Sequence, residues 1–520
     1  MKYQINNFKL TPQKSNDLEN EIKRYFKINS FEYKIISKSI DARKKDNIYV
    51  IYKLIIDTDE AINDKMAIPF KEDNSYTIAY PKWKGKSPVI VGFGPAGMLA
   101  ALYLARCGAK PIVIERGSQI EKRKEDVLAF INDKKLDPNS NIQFGEGGAG
   151  TFSDGKLNTN LKNPLIKFIL NEFYIHGAKE DILYDAKPHI GTDYLELVVK
   201  NIRLEIISLG GRIYFNHLFK DIRKNNDLDV IVNNGCEDIV FNTKHLLLAL
   251  GHSARDTIRH LYNKLNVNME PKAFSMGVRI EHPKKLIDEA QYGKFFKYLP
   301  SAYYNLAAHM PNGRGVYTFC MCPGGYVMAS QSEENTICVN GMSISRRDNF
   351  NSNSALLVDV RPSDYLVNNS PLDGISYQEK YEKLAFEISK DYRAPANLVK
   401  EFLEGKVSIN FRSVNTSYPH GLAFTDLSKC LPDYVIDGLK FGILEFNKKI
   451  KGFSHPDAIL VGVETRSSSP VRIIRDENYE SSIKGVYPIG EGAGYAGGIT
   501  SAALDGLKVA MSIVRRDENE

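Results

Sequence analysis

The period of the hydrophobic pattern changes several times along the chain, and each change marks an element. Leu18, Ile22 and Phe26 recur at every fourth residue and predict a short amphipathic helix. Two apolar or alternating runs follow, Phe31 to Ile40 and Ile48 to Ile56, separated by the basic link Arg43, Lys44 and Lys45. With the helix they predict a small α/β unit over residues 1–82. A packing domain with a solvated turn is the plainer reading of this unit. A docking module for a partner or a nucleic acid is the alternative.

From Ser87 the pattern becomes strand, glycines, helix, strand and acid. Val89 to Val91 form a short buried run that meets Gly92, Gly94 and Gly97 in G-x-G-x-x-G spacing. An apolar helix from Pro95 to Cys107 leads to a second strand, Pro111 to Ile114, which ends on Glu115. Gly92 permits the tight turn, Gly94 lets a pyrophosphate approach the backbone, and Gly97 lets the helix pack on the strand. The helix start supplies free N–H groups and a positive dipole end, and Glu115 suits a ribose hydroxyl pair. Pro95, Ala96, Arg116 and Arg123 complete the contacts expected here. The motif predicts a dinucleotide and leaves FAD and NAD undecided.

A charged helical piece and a glycine-rich loop, Phe144 to Leu157, come next. Its glycines cost backbone entropy in any regular element, so they let the main chain approach something closely. Gly148, Gly150 and Thr151 are the contacts expected from it. Helices are predicted over Pro164 to His176 and Asp193 to Leu209, the second capped by Thr192 or Asp193. Short strands follow at Arg212 to Phe215, Leu228 to Val232 and Asp238 to Phe241, with a hairpin turn at Asn234 and Gly235. The apolar run His245 to Leu250 ends at Gly251, which places Ala249 and Gly251, with Phe219, beside the nucleotide.

Residues 83–270 thus read as the first part of a nucleotide-binding domain. Residues 271–425 differ: β-rich runs (Phe274 to Ile280, Gly315 to Cys322, Tyr326 to Ala329, Thr336 to Val339, Ala355 to Val360) surround one amphipathic helix near Tyr377 to Lys390. An inserted antiparallel sheet that roofs the cofactor is expected. Residues 426–520 return to the first domain through the strand Ala458 to Val463 and the segment Gly485 to Val514. There a strand ends at Gly490 and Glu491, a glycine cluster follows, and a long helix starts near Ile499. This second helix start is expected to face the ligand through Tyr495, Gly497, Gly498 and Ile499.

Composition narrows the classes. A chain of 520 residues supports two to four domains, and its 69 basic and 63 acidic residues leave a net charge of +6. That small excess suits anionic small molecules at least as well as nucleic acid, which is not expected as a partner. The six cysteines are too sparse for a disulfide scaffold. No run of about 18 uncharged apolar residues predicts a membrane span, and the polar first residues predict a cytoplasmic protein. No H-x-x-x-H, H-E-x-x-H or four-cysteine spacing points to a metal.

Taken together, the N-terminal glycine motif with Glu115, the LLLALG run ending at Gly251 and the GVYPIGEGAG segment resemble the signatures of the glutathione-reductase-type FAD flavoproteins. The likeness is greatest to the bacterial uncharacterised FAD-dependent dehydrogenases, through FGEGGAGTFSDGKL, TFCMCPGGYV, SISRRDNFNSNSALLV, VETRSSSPVRI, GEGAGYAGGITSAALDG and the N-terminal SIDARKK. The resemblance implies an α/β fold. It comprises a glutathione-reductase-type FAD-binding Rossmann-like domain, an inserted β-rich substrate domain and a small N-terminal α/β domain. It implies FAD as cofactor, with Glu491 at the ribityl or phosphate region. The family has no settled substrate.

The chemistry expected is an FAD-dependent oxidoreductase that moves hydride between flavin N5 and a small, anionic or unsaturated substrate. Tyr495 to Thr500 would offer N–H groups to N1 and O2 of the ring. Ser153, Asp154 and Lys156 would supply polar groups on its other face. Cys320 and Cys322, two apart in a strand, would turn both thiols to one cavity; a flavin-linked dithiol and two buried core residues are the competing readings. Arg466, with Arg346, Arg347, Arg472 and Arg475, would clamp a carboxylate or phosphate. With only one complete glycine motif, NAD(P)H as donor would bind transiently in the substrate cleft. An RNA-acting flavoprotein and a prenyl-lipid reductase are the alternative functions.

Overall fold

Five short parallel strands lie in the order Val486–Pro488, Leu246–Leu248, Val89–Val91, Ile112–Ile114 and Arg212–Tyr214. The first four are buried throughout, which is why they read as unbroken apolar runs; the last, an edge strand, is part-buried. The computed structural model describes residues 1–70 and 78–517.

The helix Pro95–Arg106 leaves the sheet through Gly92, whose φ of 99° suits glycine, and has proline at its first turn. It is apolar on nearly every face because it is enclosed by the sheet, the helix Thr192–Ser208 and the C-terminal helix Ile499–Asp517. A Cβ at Gly97 would overlap the carbonyl oxygen of Gly92, and one at Gly506 would overlap that of Ala96. Small residues therefore set the separation of strand and helices. The helix Thr192–Ser208 begins after Gly191 without the expected side-chain cap. Tertiary partners take those groups instead: Thr192 Oγ1 donates to the Ser153 carbonyl, and Asp193 accepts from Ser345.

Between the fourth and fifth strands of this sheet in chain order lies a seven-stranded, largely antiparallel sheet. Its order is Ala307–His309, Gly315–Cys322, Asn351–Val360, Phe274–Pro283, Ile459–Glu464, Ala394–Leu398 and Leu422–Phe424. The helix Asp433–Lys449, which the sequence pattern did not reveal, packs on it through Gly438 and Gly442, whose Cβ positions would meet Val358 and Val316. Ile459–Glu464 pairs with Phe274–Pro283 and Ala394–Leu398. This strand was expected in the C-terminal return, but it is central to the large sheet, and the return begins with Val486–Pro488. Both strands are equally apolar, and only their pairing separates them.

The first residues form a four-stranded antiparallel sheet, Glu32–Asp41, Tyr49–Asp57, Lys2–Leu10 and Ala67–Pro69, under the helix Leu18–Phe26. Val50, Tyr52, Leu54 and Ile56 alternate inward onto Ile22 and Phe26. Full burial of such aliphatic side chains contributes about 1.5–3 kcal/mol each. A further hairpin sheet joins Leu218–Lys224, Leu228–Asn233 and Asp238–Thr243, with Gly235 at positive φ in the turn. Among the described residues no helix is long and apolar enough to cross a membrane.

Candidate functional site

Where the parallel strands end, the glycine loops and one end of the large sheet enclose a cavity of about 790 Å³, within the range of small-molecule and cofactor sites. The turn Gly92–Ala96 forms one wall. Ala249 to Ala254 and Gly490, Glu491 and Tyr495 to Ala502 form others, although they come from distant parts of the chain. The first-turn N–H groups of the C-terminal helix have no intrahelical acceptor and open on this space.

The loops hold one another in register. A Cβ on Gly148, whose φ is 63°, would stand 3.0 Å from the Gly94 Cα, so the two glycine-rich loops meet backbone to backbone. Glu115 borders the cavity. One carboxylate oxygen accepts the N–H of Phe93 at 2.9 Å, and the other accepts those of Gly117 and Gly145, each at 2.9 Å. With about four acceptor positions on a carboxylate, little capacity remains for a ribose. Arg116 borders the cavity too, 4.3 Å from the Phe144 ring and paired with Asp256.

Most of the remaining residues expected at the nucleotide border the cavity as well: Pro95, Ala96, Gly150, Phe219, Gly251, Gly490, Glu491, Tyr495, Gly497, Gly498 and Ile499. Three do not. Gly97 is covered by the Gly92 carbonyl. Thr151 is buried beneath Gly147. Arg123 is wholly buried, and its guanidinium donates to the carbonyls of Asn141, Ile142, Glu146 and Gly148 at 2.7–2.9 Å. It fixes the loop from behind. Burial lowers its pKa to about 10, which leaves it charged at neutral pH.

The polar end of the cavity contains Asp154, Lys156, Tyr303, Cys320, Asn340 and Glu464. Burial works against the charge of Asp154, but Lys156 and Arg347 outweigh it and hold the carboxyl well below its usual range. Lys156 Nζ lies 3.0 Å from Asp154 Oδ2 and donates to the Met321 carbonyl. Burial again opposes its charge, and Asp154 with the nearby sulfur groups raises its pKa regardless.

Cys320 and Cys322 do not share the cavity. The pairing of Gly315–Cys322 with Asn351–Val360 slips between Phe319 and Cys322, and Cys320 has a φ of 39°. This bulge breaks the two-residue alternation. Cys320 borders the cavity, whereas Cys322 is wholly buried with its thiol 3.2 Å from the Cys320 carbonyl. Two cations pin the bulge, Lys156 on the Met321 carbonyl and Arg279 on that of Cys320 at 2.6 Å. Burial raises both thiol pKa values, that of Cys322 to about 12. Such thiols stay protonated and make poor redox partners.

Arg466 borders the cavity but is committed. Its guanidinium and that of Arg255 each grip both oxygens of Glu382, at 2.7–3.0 Å. Burial opposes the Glu382 charge, and the two arginines overcome it and hold the pKa far below the carboxylate range. Arg472 pairs with Glu270, and Arg475 pairs with Asp505 and lies 3.7 Å from the Tyr495 ring. Arg346 is exposed beside Asp348. His252, Lys272, Tyr303 and Asn340 also border the cavity. Of these only His252 carries a sequence signal, as the residue after LLLALG.

Residues 273–467 match a family described as FAD-dependent protein, C-terminal domain-like, and residues 1–57 match a domain of unknown function. An uncharacterized protein of Clostridium beijerinckii is 48% identical over 497 residues, which cover 93% of this chain and 92% of that one. The chain belongs to this uncharacterised FAD-dependent family. Among solved structures, a flavoprotein/dehydrogenase from Cytophaga hutchinsonii is 12% identical with a TM-score of 0.35, covering 84% of this chain and 80% of its own. A halogenase PltM mutant in complex with FAD is 10% identical with a TM-score of 0.40, covering 84% and 70%. Likeness at that level carries no conclusion about chemistry.

The residues of this family member fit FAD on their own terms. Added Cβ atoms at Gly251 and Gly497 would meet nothing within 4 Å, so the backbone there is open to a ligand. His252 Nδ1 lies 3.3 Å from Glu491, while its buried Nε2 has no hydrogen-bond partner among the described residues. Gly94, Gly251, Glu491 and the Gly497–Ile499 helix start are the groups that would hold the cofactor, with Glu115 tying the loops behind them.

Proposed function

We propose that the protein is an FAD-dependent oxidoreductase of the glutathione-reductase type. It would exchange hydride with a small, anionic or unsaturated organic molecule. Residues 83–270 and the chain from about 480 onward would form the cofactor domain, and the large sheet between them the substrate side. The convergence of three glycine-bearing segments, remote in sequence, on one cavity whose far end is polar and cationic carries this reading.

Bound FAD supplies hydride exchange at flavin N5. The chain supplies the surroundings. The helix start at Gly497–Ile499 offers N–H groups and a positive dipole end to developing negative charge. The bulge at Cys320, locked by Lys156 and Arg279, keeps the substrate end rigid. NAD(P)H as electron donor would enter through the same cleft.

Reconstitution tests the proposal. Purified protein mixed with FAD should give a yellow holoprotein that NADH, NADPH or a substrate bleaches without oxygen. A protein that takes up no FAD, or a holoprotein that neither nicotinamide nor any compound of an organic-acid panel bleaches, rejects it.

A further inference from the structure

The polar end of the cavity holds more positive than negative charge. Asp154 lies against two cations, Lys156 at 3.0 Å and Arg347 at 2.6 Å. Ser343 Oγ donates to its other oxygen at 2.6 Å. His189, 3.8 Å away, adds no charge at neutral pH, because burial pushes its pKa down to about 4. The neighbouring Arg279–Glu464 pair closes on itself at 3.0 Å. Two cations thus face one carboxylate, and one positive charge is left over in a largely water-excluded place. Such a charge favours an anionic partner.

Lys156 is the member of this group that can meet one. It borders the cavity, whereas Arg347, whose side chain is equally exposed at 18%, does not. An ammonium has three N–H donors; on Lys156 the Met321 carbonyl accepts one and Asp154 ion-pairs at 3.0 Å, so at least one is left free. Its Nζ also stands 5.4 Å from the centre of the Tyr303 ring. Tyr303 stands beside this free donor, and Phe319 borders the same cavity, so aromatic rings line the space that the ammonium faces.

We infer that Lys156, with Tyr303 and Phe319, forms the subsite for a substrate carboxylate carried on a planar unsaturated or aromatic group. This rests on the oxidoreductase reading and narrows its substrate class. The carboxylate accepts a free N–H of Lys156 and neutralises the surplus charge, and the planar group lies against the two rings.

Calorimetric titration with benzoate and cinnamate, each against its uncharged amide, tests the subsite in FAD-loaded and FAD-free protein. The acids should bind at least about tenfold more tightly than benzamide and cinnamamide, as one charge-assisted contact predicts. K156M should abolish that preference. Y303L should weaken acid and amide by a similar factor and keep the preference, so the test stands even if K156M does not fold. Equal affinity for acid and amide, or no binding of either acid, overturns the subsite. So does a K156M protein that loses FAD affinity but retains the preference, because the surplus charge then serves the cofactor. Failure of FAD uptake with the acid preference intact rejects the oxidoreductase reading alone.

Discussion

A side chain at Gly492 would stand 2.5 Å from the carbonyl of Gly251, more than 200 residues earlier. The two loops touch backbone to backbone, and the contact depends on the missing Cβ of Gly492 alone, since a Cβ on Gly251 would meet nothing within 4 Å. Gly497, five residues on, has open space where its Cβ would be. Gly492→Ala should therefore destabilise the protein itself, by about 2 kcal/mol or more. Gly497→Ala should leave the stability of the FAD-free protein within about 0.5 kcal/mol and weaken FAD binding. Urea denaturation and FAD titration of both variants separate fold from ligand. Unchanged FAD affinity in Gly497→Ala would mean that the cofactor does not approach this helix start.

Among the described residues Arg123 is the sole side-chain donor to four loop carbonyls. Arg123→Met removes the fork and leaves the carbonyls of Asn141, Ile142 and Glu146 unpaired in a dry interior, while that of Gly148 keeps the Thr151 N–H. The cost should be at least about 3 kcal/mol, since each buried unpaired group costs about 1–3 kcal/mol. Lysine should recover only part, because an ammonium cannot span the same set. Urea midpoints for the three proteins measure this, and limited proteolysis should cut the loop over residues 137–152 first in Arg123→Met.

Glu146 is wholly buried, and burial raises its pKa to about 7 despite the Ile120 N–H and Arg203 nearby. Unfolded, the carboxyl titrates near 4.5. Between these values the folded state holds a proton that the unfolded state has released. Its contribution to stability is therefore full below pH 4.5 and lost as pH rises through 7. Glu146→Gln keeps an acceptor and removes the titration. Wild type should lose stability relative to Glu146→Gln across this window, by on the order of 3 kcal/mol in total. A stability difference independent of pH would contradict the buried, protonated state.

The thiols give a chemical check. Cys236 is exposed, Cys322 is buried, and burial lifts the Cys322 pKa to about 12 and raises that of Cys320. Iodoacetamide at pH 8 should modify Cys236 first in the native protein and reach Cys322 only after unfolding. For the cavity thiol Cys320, the alkylation rate should still be climbing at pH 10, because the thiolate is the reacting form. Rapid loss of both Cys320 and Cys322 at pH 7 would restore the dithiol reading.

Much of the architecture was legible because local rules suffice for it. Gly92, Gly94 and Gly97 between two apolar strands announce a turn whose carbonyls and helix leave no room for side chains. The spacing of Leu18, Ile22 and Phe26 and the alternation from Val50 to Ile56 state which faces are buried. By contrast, nothing local distinguishes Ile459–Glu464 from Val486–Pro488, since both are apolar runs. Their sheets are chosen by partners from about 60 to 240 residues away.

The same division runs through the candidate site. The sequence by itself determined that the backbone is left bare of side chains at Gly94, Gly251 and Gly497, which border the cavity, because glycine carries no Cβ. It also supplied the charged and sulfur groups. Only the tertiary structure decided which of them remain available. Arg123 and Arg466 are consumed by carbonyls and by Glu382, a bulge turns Cys322 away from Cys320, and Lys156 keeps a donor free beside Tyr303. Charge pairing and burial are long-range properties, set when distant segments meet, and no spacing along the chain encodes them.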